Sequence, residues 1–533
     1  QRTSLFWPAG LVLCHADRDD RHYRPLHSQD LEALGLTSEL RLGIESVVVL
    51  SLYLALTILI GFVANSRSRS HSPNDYFLGG KTTGALLLFF TMQATQYSGN
   101  AFFGFTGKAY RSGLIWILAI PLIGLIITAQ LSYAPRLYRL SHRFHYLTPG
   151  DFYAHRYQSK ALRLIVAILT IVSMFPYLMI QAEATGHAVE ALSSGALPFW
   201  SGVLGISVVM AIYISVGGWR GVIWTDALQG VLLTIAMLAA TWTGLQMAGG
   251  LPHVLEYLSE AKPSLLEAPG DVESMTSQWL SLLIVSAIGF AMYPHAIQRI
   301  YAAKDETSLK RSFTMMLLVP FFLGGCTLLI GLTGLTLYPD LSVAESDRVF
   351  GYLLARLASE HHALVLFVLC GLLAAIMSTA SSVVLTLSSI FTRDIYQAAI
   401  RKDASQLELT MVGRVFTVVI LFVVVLLSLN SSLTLWRLTE IKIEFLMQLF
   451  PPLILGLYWQ RMERVSALAG LLMGSLVVAV MILSGFPRWW LFQAGLYGFF
   501  VNLTVCLLLP RLLSASKEEM ASTAEIFQVL RQS

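Results

Sequence analysis

Long apolar stretches alternate with short polar segments along most of the chain. Each stretch is about 20 residues long, the length at which an α-helix crosses a hydrocarbon layer of roughly 30 Å. We therefore expect an all-α protein that spans a membrane many times. The pattern predicts thirteen spans, with approximate bounds 44–64, 84–106, 114–134, 162–184, 199–216, 225–248, 279–302, 313–337, 363–391, 410–430, 441–459, 465–484 and 490–510.

The composition supports a membrane protein. Of the 533 residues, 55% are hydrophobic and only 13% are charged, and the mean hydropathy is +0.65, which is far above that of soluble domains. The net charge of +4 is small, and the Lys and Arg residues are separated by apolar runs. Because no continuous basic surface is predicted, a nucleic acid is excluded as a partner, and the lipid bilayer is the expected surroundings.

The sequence carries no pattern typical of an enzyme. We find no HExxH-like metal motif, no paired-carboxylate site and no GxSxG-like turn. The four cysteines, Cys14, Cys326, Cys370 and Cys506, lack the spacing of metal ligands or of a disulfide framework. We therefore expect free thiols and no enzymatic activity.

The loop charges predict how the chain is oriented. Thirteen spans place the two termini on opposite sides, and cytoplasmic loops carry the excess of Lys and Arg. The segment from 134 to 163 is especially basic and includes Arg136, Arg139 and Arg143. This places the N-terminus outside and the C-terminus in the cytoplasm, with the protein in the inner (plasma) membrane.

The two terminal regions are predicted from their polarity. Residues 1–42 are expected to form an extracytoplasmic segment, followed by a transmembrane helix within 43–66. The run LFWPAGLVLCHA near the start is either the remnant of a signal-peptide core or an ordinary amphipathic segment. Residues 511–533 are expected to be a cytoplasmic tail that is too short to form a domain.

Five separated segments resemble the sodium:solute symporter family, whose members include proline, pantothenate, acetate, sugar and sialic acid symporters. The segments are DYFLGGK at 75–81, SVGGWRGVIWTDALQG at 215–230, PHAIQR at 294–299, AAIMSTASSVVLTLSSIFTRDIY at 374–396 and PPLILGLYWQR at 451–461. The resemblance implies a LeuT-like 5+5 inverted repeat, with core helices 1–5 in 82–248 and core helices 6–10 in 279–459. One extra helix precedes the repeats, and two follow within 465–510.

Interrupted apolar runs stand at corresponding places of the two implied repeats. Core helix 1 contains TQYSGN at 95–100, and core helix 6 contains Gly289 and Pro294. Broken helices at matching positions mark the binding site in transporters of this type. The resemblance implies that the cofactor is a sodium ion and that the partner is a small organic solute, carried by alternating access.

The resemblance also implies where sodium binds. The backbone carbonyls of Ala94, Tyr97 and Ala375 and the hydroxyls of Ser378 and Thr379 would form the shared site, and such oxygens suit a hard cation. The alternative is that this Ser-Thr pair only allows close helix packing, with the hydroxyls bonded to carbonyls one turn earlier.

A second sodium ion is a further expectation. Ser378, Ser381 and Ser382 lie on one helical face at i, i+3 and i+4, and family members that move two ions carry hydroxyls at the two later positions and an Asp on core helix 5. Here these residues correspond to Asp226, Ser381 and Ser382. Asp226 also fits an N-terminal helix cap, and the two roles can coexist.

The candidate substrate ligands flank the interrupted helices. They are Gln96, Ser98, Asn100, Gln181, Phe290, Tyr293 and His295. The proline symporters have an acidic residue where this chain has Gln96, which speaks against proline. A carboxylate-bearing solute, such as an amino acid, a monocarboxylate or a pantothenate-like compound, is the leading interpretation, and a sugar or sialic acid is the alternative.

Two other functions remain open at this stage. Permease-like modules of this family also report solute occupancy to a cytoplasmic signalling domain, a role that the short tail disfavours. A passive channel would conduct without a sodium gradient. No obligatory protein partner is evident from the sequence.

Overall fold

A computed structural model describes residues 44–66, 72–192, 197–267, 272–358, 361–429, 435–486, 488–489 and 492–532. The described chain is almost entirely helical, which confirms the predicted all-α class. Its two short strands, β1 (Arg488–Trp489) and β2 (Phe492–Gln493), pair antiparallel. The predicted segment 1–42 lies outside the described residues.

The α-helices fall into a first group up to residue 261 and a second group from residue 272. The first group is α1 (Ile44–Ser66), α2 (Pro73–Leu78), α3 (Ala85–Gln96), α4 (Gly99–Phe102), α5 (Gly104–Ser112), α6 (Ala119–Arg143), α7 (Pro149–Tyr157), α8 (Lys160–Leu192), α9 (Phe199–Met247) and α10 (Gly250–Ala261). The second group is α11 (Val272–Ala291), α12 (Pro294–Ala302), α13 (Glu306–Met316), α14 (Gly325–Leu337), α15 (Val343–Ser346), α16 (Val349–Ala358), α17 (His362–Ile390), α18 (Gln406–Ser428), α19 (Leu435–Leu446), α20 (Phe450–Tyr458), α21 (Arg464–Leu483), α22 (Ala494–Leu508) and α23 (Lys517–Arg531).

The predicted number of thirteen spans is not confirmed by the helices of the structure. Within the described ranges, 10 helical runs are long and apolar enough to cross a membrane, or 11 if the bent pair α11 and α12 counts as one span. Two pairs of predicted neighbours share continuous runs: 84–106 and 114–134 meet in Gly99–Arg143, and 199–216 and 225–248 meet in α9. The predicted thirteen spans are therefore not reproduced as separate helices.

The length of α9 explains why the sequence pattern divides it. Its 49 residues would extend about 74 Å at 1.5 Å per residue, more than twice the thickness of a hydrocarbon layer. Gly218 interrupts the helix with φ 51° and ψ −145°, a conformation that favours glycine. A Cβ atom at Gly218 would also lie 2.7 Å from the Tyr76 carbonyl oxygen. The segments before and after Gly218 are thus two helices joined at a kink.

Helix α17 lies at the centre of the packed helices. Every residue from Val368 to Ile390 is buried, and the helix contacts α3, α8, α9 and α18. This stretch carries several hydroxyl side chains, and buried polar groups require hydrogen-bond partners. The hydrogen-bond partners of the α17 hydroxyls therefore indicate the candidate functional site.

Both predicted helix interruptions are confirmed. Helix α3 ends at Gln96, Tyr97 is extended with φ −103° and ψ 90°, and α4 begins at Gly99. The second interruption separates Ala291 from Pro294, where α11 and α12 meet at an angle of 46°. Each interruption frees backbone groups that a continuous helix would pair internally.

Candidate functional site

Two hydroxyls of α17 face the carbonyl groups at the end of α3. The Ser378 hydroxyl donates to the Ala94 carbonyl at 2.8 Å and also lies 3.2 Å from the Ala375 carbonyl. The Thr379 hydroxyl lies 3.5 Å from the carbonyls of Ala94 and Thr95. These groups are all buried, so four of the five predicted ligand residues lie within one contact shell.

The fifth predicted ligand, Tyr97, stands in the helix interruption itself. Its backbone N–H donates to the Gln93 carbonyl at 3.2 Å, and its side chain is buried. The next residue, Ser98, caps the N-terminus of α4, and its hydroxyl accepts from the Asn100 N–H at 3.2 Å. The extended backbone at Tyr97 therefore separates two helical segments whose ends face α17.

This arrangement offers only oxygen ligands, in a buried position. Carbonyl and hydroxyl oxygens suit a hard cation such as sodium, whereas softer metals prefer thiolate or imidazole. Ser378 also bonds to the carbonyl three residues earlier, as the packing interpretation requires. The geometry at Ser378 is thus compatible with both interpretations, and the bond to Ala94 adds a contact between helices.

Asp226 forms a second buried cluster. Its Oδ2 atom accepts hydrogen bonds from Thr91 at 2.5 Å, Arg299 at 2.7 Å and Ser382 at 3.1 Å. Asp226 lies well inside α9 and does not begin a helix, so the capping interpretation is wrong. Its side chain joins α9 to α3, α12 and α17 instead. Ser381 is oriented differently and bonds to the Ser378 carbonyl at 3.2 Å.

Arg299 is a site residue that the sequence analysis did not identify. Its guanidinium donates to the His295 carbonyl at 3.0 Å and to the Ser382 hydroxyl at 2.6 Å, besides its bond to Asp226. Both partners of this ion pair are fully buried. The sequence did contain a clue, because Arg299 interrupts a predicted span and charged residues inside membranes are typically functional.

Aromatic side chains surround the second helix interruption. The ring centroids of Tyr293 lie 5.3 Å from Phe290, 5.2 Å from Tyr177 and 4.8 Å from His295. Tyr177, on α8, was not among the predicted residues, although it stands one turn before Gln181. The structure therefore brings the three predicted residues of core helix 6 into one aromatic cluster.

The predicted substrate ligands near the first interruption do not form one cluster, and each has different contacts. Gln181 accepts from the Gly99 N–H at 3.2 Å and so ties α8 to the start of α4. The side chain of Asn100 lies against Gly104 at the start of α5, where its Oδ1 atom fills the space that a Cβ atom would need. Gln96 is half-buried at the last position of α3. Of these predicted ligands, Gln181 and Ser98 accept hydrogen bonds from the backbone at the start of α4.

Comparison with known proteins decides the family. The model of the sodium:solute symporter family matches residues 76–474. The chain belongs to this family. The osmoregulated proline transporter OpuE of Bacillus subtilis is 30% identical over 459 residues, which cover 84% of this chain and 90% of that protein. The sodium/pantothenate symporter of Escherichia coli is 28% identical, with 81% of this chain and 90% of that protein covered.

A solved structure supports the same assignment at the level of the fold. A sodium-coupled sialic acid symporter superposes with a TM-score of 0.76 at 19% identity, covering 89% of this chain and 99% of that chain. The expected LeuT-like fold is confirmed, while the bounds 82–248 and 279–459 of the two repeats stay a prediction. The protein is thus a sodium-coupled symporter of a small organic solute, and not an enzyme.

Proposed function

We propose that this symporter imports a small carboxylate-bearing solute together with sodium, by alternating access around the two interrupted helices. The observation that carries the proposal is the 2.8 Å contact from the Ser378 hydroxyl to the Ala94 carbonyl. It joins the buried helix α17 to the freed end of α3, where a cation finds oxygen ligands.

In this proposal the shared sodium ion binds between the end of α3 and α17. Carbonyls of Ala94, Tyr97 and Ala375 and the hydroxyls of Ser378 and Thr379 replace its hydration shell. The hydrogen bonds of the two hydroxyls to nearby carbonyls support the assignment, because they show that these oxygens lie close together. A sodium ion bound between the oxygens would replace those hydrogen bonds. Sodium is here a co-transported substrate.

A second sodium ion is proposed beside Asp226, Ser381 and Ser382. Arg299 forms an ion pair with the Oδ2 atom of Asp226, whereas the buried Oδ1 atom has no hydrogen-bond partner among the described residues. An unpaired carboxylate oxygen in a protein interior is costly unless a cation or a donor reaches it. We therefore assign the second ion to the Oδ1 side of Asp226.

The carboxylate on the solute is supported by the chemistry of the relatives. Proline and pantothenate, named for the two relatives above, both carry one. Gln96 stands where proline symporters have an acidic residue, so we place this chain's solute among other amino acids, monocarboxylates or pantothenate-like compounds. A sugar or sialic acid remains the alternative.

The proposed location is the plasma (inner) membrane, with the N-terminus outside and the C-terminus in the cytoplasm. The basic segment that includes Arg136, Arg139 and Arg143 supports this orientation. Arg143 is exposed at the end of α6, as expected for a residue that faces the cytoplasm.

Uptake into proteoliposomes tests the proposal. An inward sodium gradient should drive accumulation of at least one of pantothenate, pyruvate or acetate above its external concentration, and a matched choline gradient should not. Sialic acid and glucose form the alternative arm of the same panel. Equilibration without accumulation, regardless of the sodium gradient, would indicate a passive channel and contradict the proposal.

A further inference from the structure

Lys442 is a buried cation that none of the groups described above uses. It lies on α19 with 1% of its surface exposed, within a helix that crosses the membrane. Its amine lies 3.5 Å from the ring centroid of Tyr177, 5.0 Å from that of Tyr293 and 5.3 Å from that of Phe290. Three aromatic faces therefore surround its charge.

The acidic residues nearest in sequence point away from Lys442. Residues two apart on a helix do not share a face. Glu440 pairs with Arg437 at 3.1 Å and accepts from Gln493 at 3.3 Å, and Glu444 packs against Gly495 at the start of α22. Among the described residues, no carboxylate oxygen lies within 4.0 Å of the Lys442 amine.

Aromatic faces alone compensate a buried ammonium poorly. A cation–π contact contributes about 0.5 to 2 kcal/mol, whereas taking a charge out of water costs several kcal/mol. Ionisable residues inside a membrane are expensive and typically mark substrate or ion pathways. An anionic ligand would compensate the charge of Lys442 during part of the transport cycle.

The surroundings of Lys442 belong to the second helix interruption. Tyr293 stands between α11 and α12, and His295 stacks beside it and beside Tyr177. His295 is fully buried, and neither of its ring nitrogens has a hydrogen-bond partner among the described residues. A polar ligand at the Lys442 amine would lie next to these groups.

Tyr177 connects this place to the proposed sodium site. Its hydroxyl lies 3.5 Å from the Thr95 carbonyl, and the Thr379 hydroxyl lies 3.5 Å from the same carbonyl. The Tyr177 side chain, whose ring faces the Lys442 amine, therefore contacts the same backbone carbonyl as the proposed sodium ligand Thr379. An anion at Lys442 and a cation at Thr379 would be close enough to favour each other electrostatically.

We propose that the Lys442 ammonium binds the carboxylate of the transported solute, with the rings of Tyr177, Tyr293 and Phe290 packed around the solute's apolar part. The inference rests on the proposed function and adds to it the residue that binds the carboxylate and a solute with a flat or apolar body. Neutral analogues of the same shape bind less tightly, because they cannot compensate the ammonium.

Thermal-shift titrations of the purified protein with matched probe pairs test this assignment. The pairs are pantothenate and panthenol, and pyruvate and pyruvamide, each titrated in sodium chloride and in choline chloride. The variants are Lys442→Met, which keeps the side-chain length, Lys442→Arg, which keeps the charge, and Lys402→Met, which removes an exposed lysine. A melting-temperature rise with sodium alone serves as the folding control for each variant.

The wild type should bind at least one acid about tenfold or more tightly than its neutral partner, as expected for a charge-assisted contact. Lys442→Met should lose this preference and keep the response to sodium, whereas Lys442→Arg and Lys402→Met should retain the preference. The assignment is wrong if Lys442→Met keeps the wild-type ratio, or if no acid of the panel binds the wild type. Acid binding that is equal in sodium and choline would contradict sodium coupling and leave the Lys442 assignment intact.

Discussion

The guanidinium of Arg299 lies 2.7 Å from the carboxylate of Asp226, and both side chains are fully buried. The pair joins α12, directly after the second helix interruption, to the part of α9 that follows Gly218. Thr91 and Ser382 bond to the same Asp226 oxygen. Four helices therefore meet at one carboxylate, next to the proposed sodium ligands.

Removal of one partner of this pair should destabilise the protein more than removal of both. A buried ion pair that loses one member leaves an uncompensated charge, at a cost of about 3 to 5 kcal/mol. We expect Asp226→Asn to lower the melting temperature in detergent strongly, and Asp226→Asn combined with Arg299→Met to recover part of the loss. An unchanged melting temperature for Asp226→Asn would show that the pair is not formed.

A second sodium ion at Asp226 should be visible in transport kinetics. Each additional charge that crosses the membrane contributes roughly 2.3 kcal/mol per 100 mV, so two ions would steepen the dependence on sodium and on voltage. The sodium Hill coefficient of the wild type should exceed one. Ser382→Ala, which removes a hydroxyl from Asp226 without unpairing Arg299, should lower the coefficient toward one while uptake continues.

A wild-type Hill coefficient of one, with one sodium ion measured per solute, would remove the second site. Asp226 would then be a structural partner of Arg299 only. Thr417→Ala provides a control, because its buried hydroxyl on α18 bonds to the Gly413 carbonyl at 3.0 Å and has no contact with Asp226.

Gly218 should be intolerant of a side chain. Its φ of 51° disfavours any residue with a Cβ atom, and that atom would lie 2.7 Å from the Tyr76 carbonyl oxygen. We expect Gly218→Ala to reduce the yield of folded protein and its melting temperature. Gly205→Ala, in the same helix but with open space around the Cβ position, should be nearly neutral. Equal behaviour of the two variants would contradict the kink.

The proposed orientation is tested by cysteine labelling. With Cys14 replaced by Ser, the native cysteines that remain, Cys326, Cys370 and Cys506, are buried. In intact cells, Arg143→Cys in this background should resist an impermeant thiol reagent applied outside and should react after permeabilisation. Labelling before permeabilisation would reverse the orientation.

The fold and the residues of the sodium site between α3 and α17 could be predicted from the sequence, because both depend on local patterns. Span lengths and helix interruptions follow from hydropathy and from residues such as Pro294, and the hydroxyls of Ser378 and Thr379 follow from a motif. Arg299 and Lys442 were missed because the partner of a charged residue depends on which helix packs against it. The same applies to Asp226, whose cap-like position in the sequence is the interior of a long, kinked helix.

The count of thirteen spans stays a prediction, because two pairs of predicted spans share continuous helical runs. Hydropathy falls at the polar residues around Gly218 and around Arg111, so the pattern divides the chain there. The backbone remains helical through both regions, apart from the kink at Gly218 and a 3₁₀ segment at Gly113–Leu118. Polarity along the sequence therefore does not locate the ends of the helices in these two regions.

Sodium-dependent uptake by Ser378→Ala and Thr379→Ala in proteoliposomes is the most direct test of the sodium site between α3 and α17. Each substitution removes one hydroxyl ligand, and a lost contact to a charged group costs about 1.5 to 3 kcal/mol. The sodium concentration for half-maximal uptake should therefore rise about tenfold or more. Ser389→Ala, on the same helix and three turns further on, should leave it unchanged. Wild-type sodium dependence in both Ser378→Ala and Thr379→Ala would contradict the site.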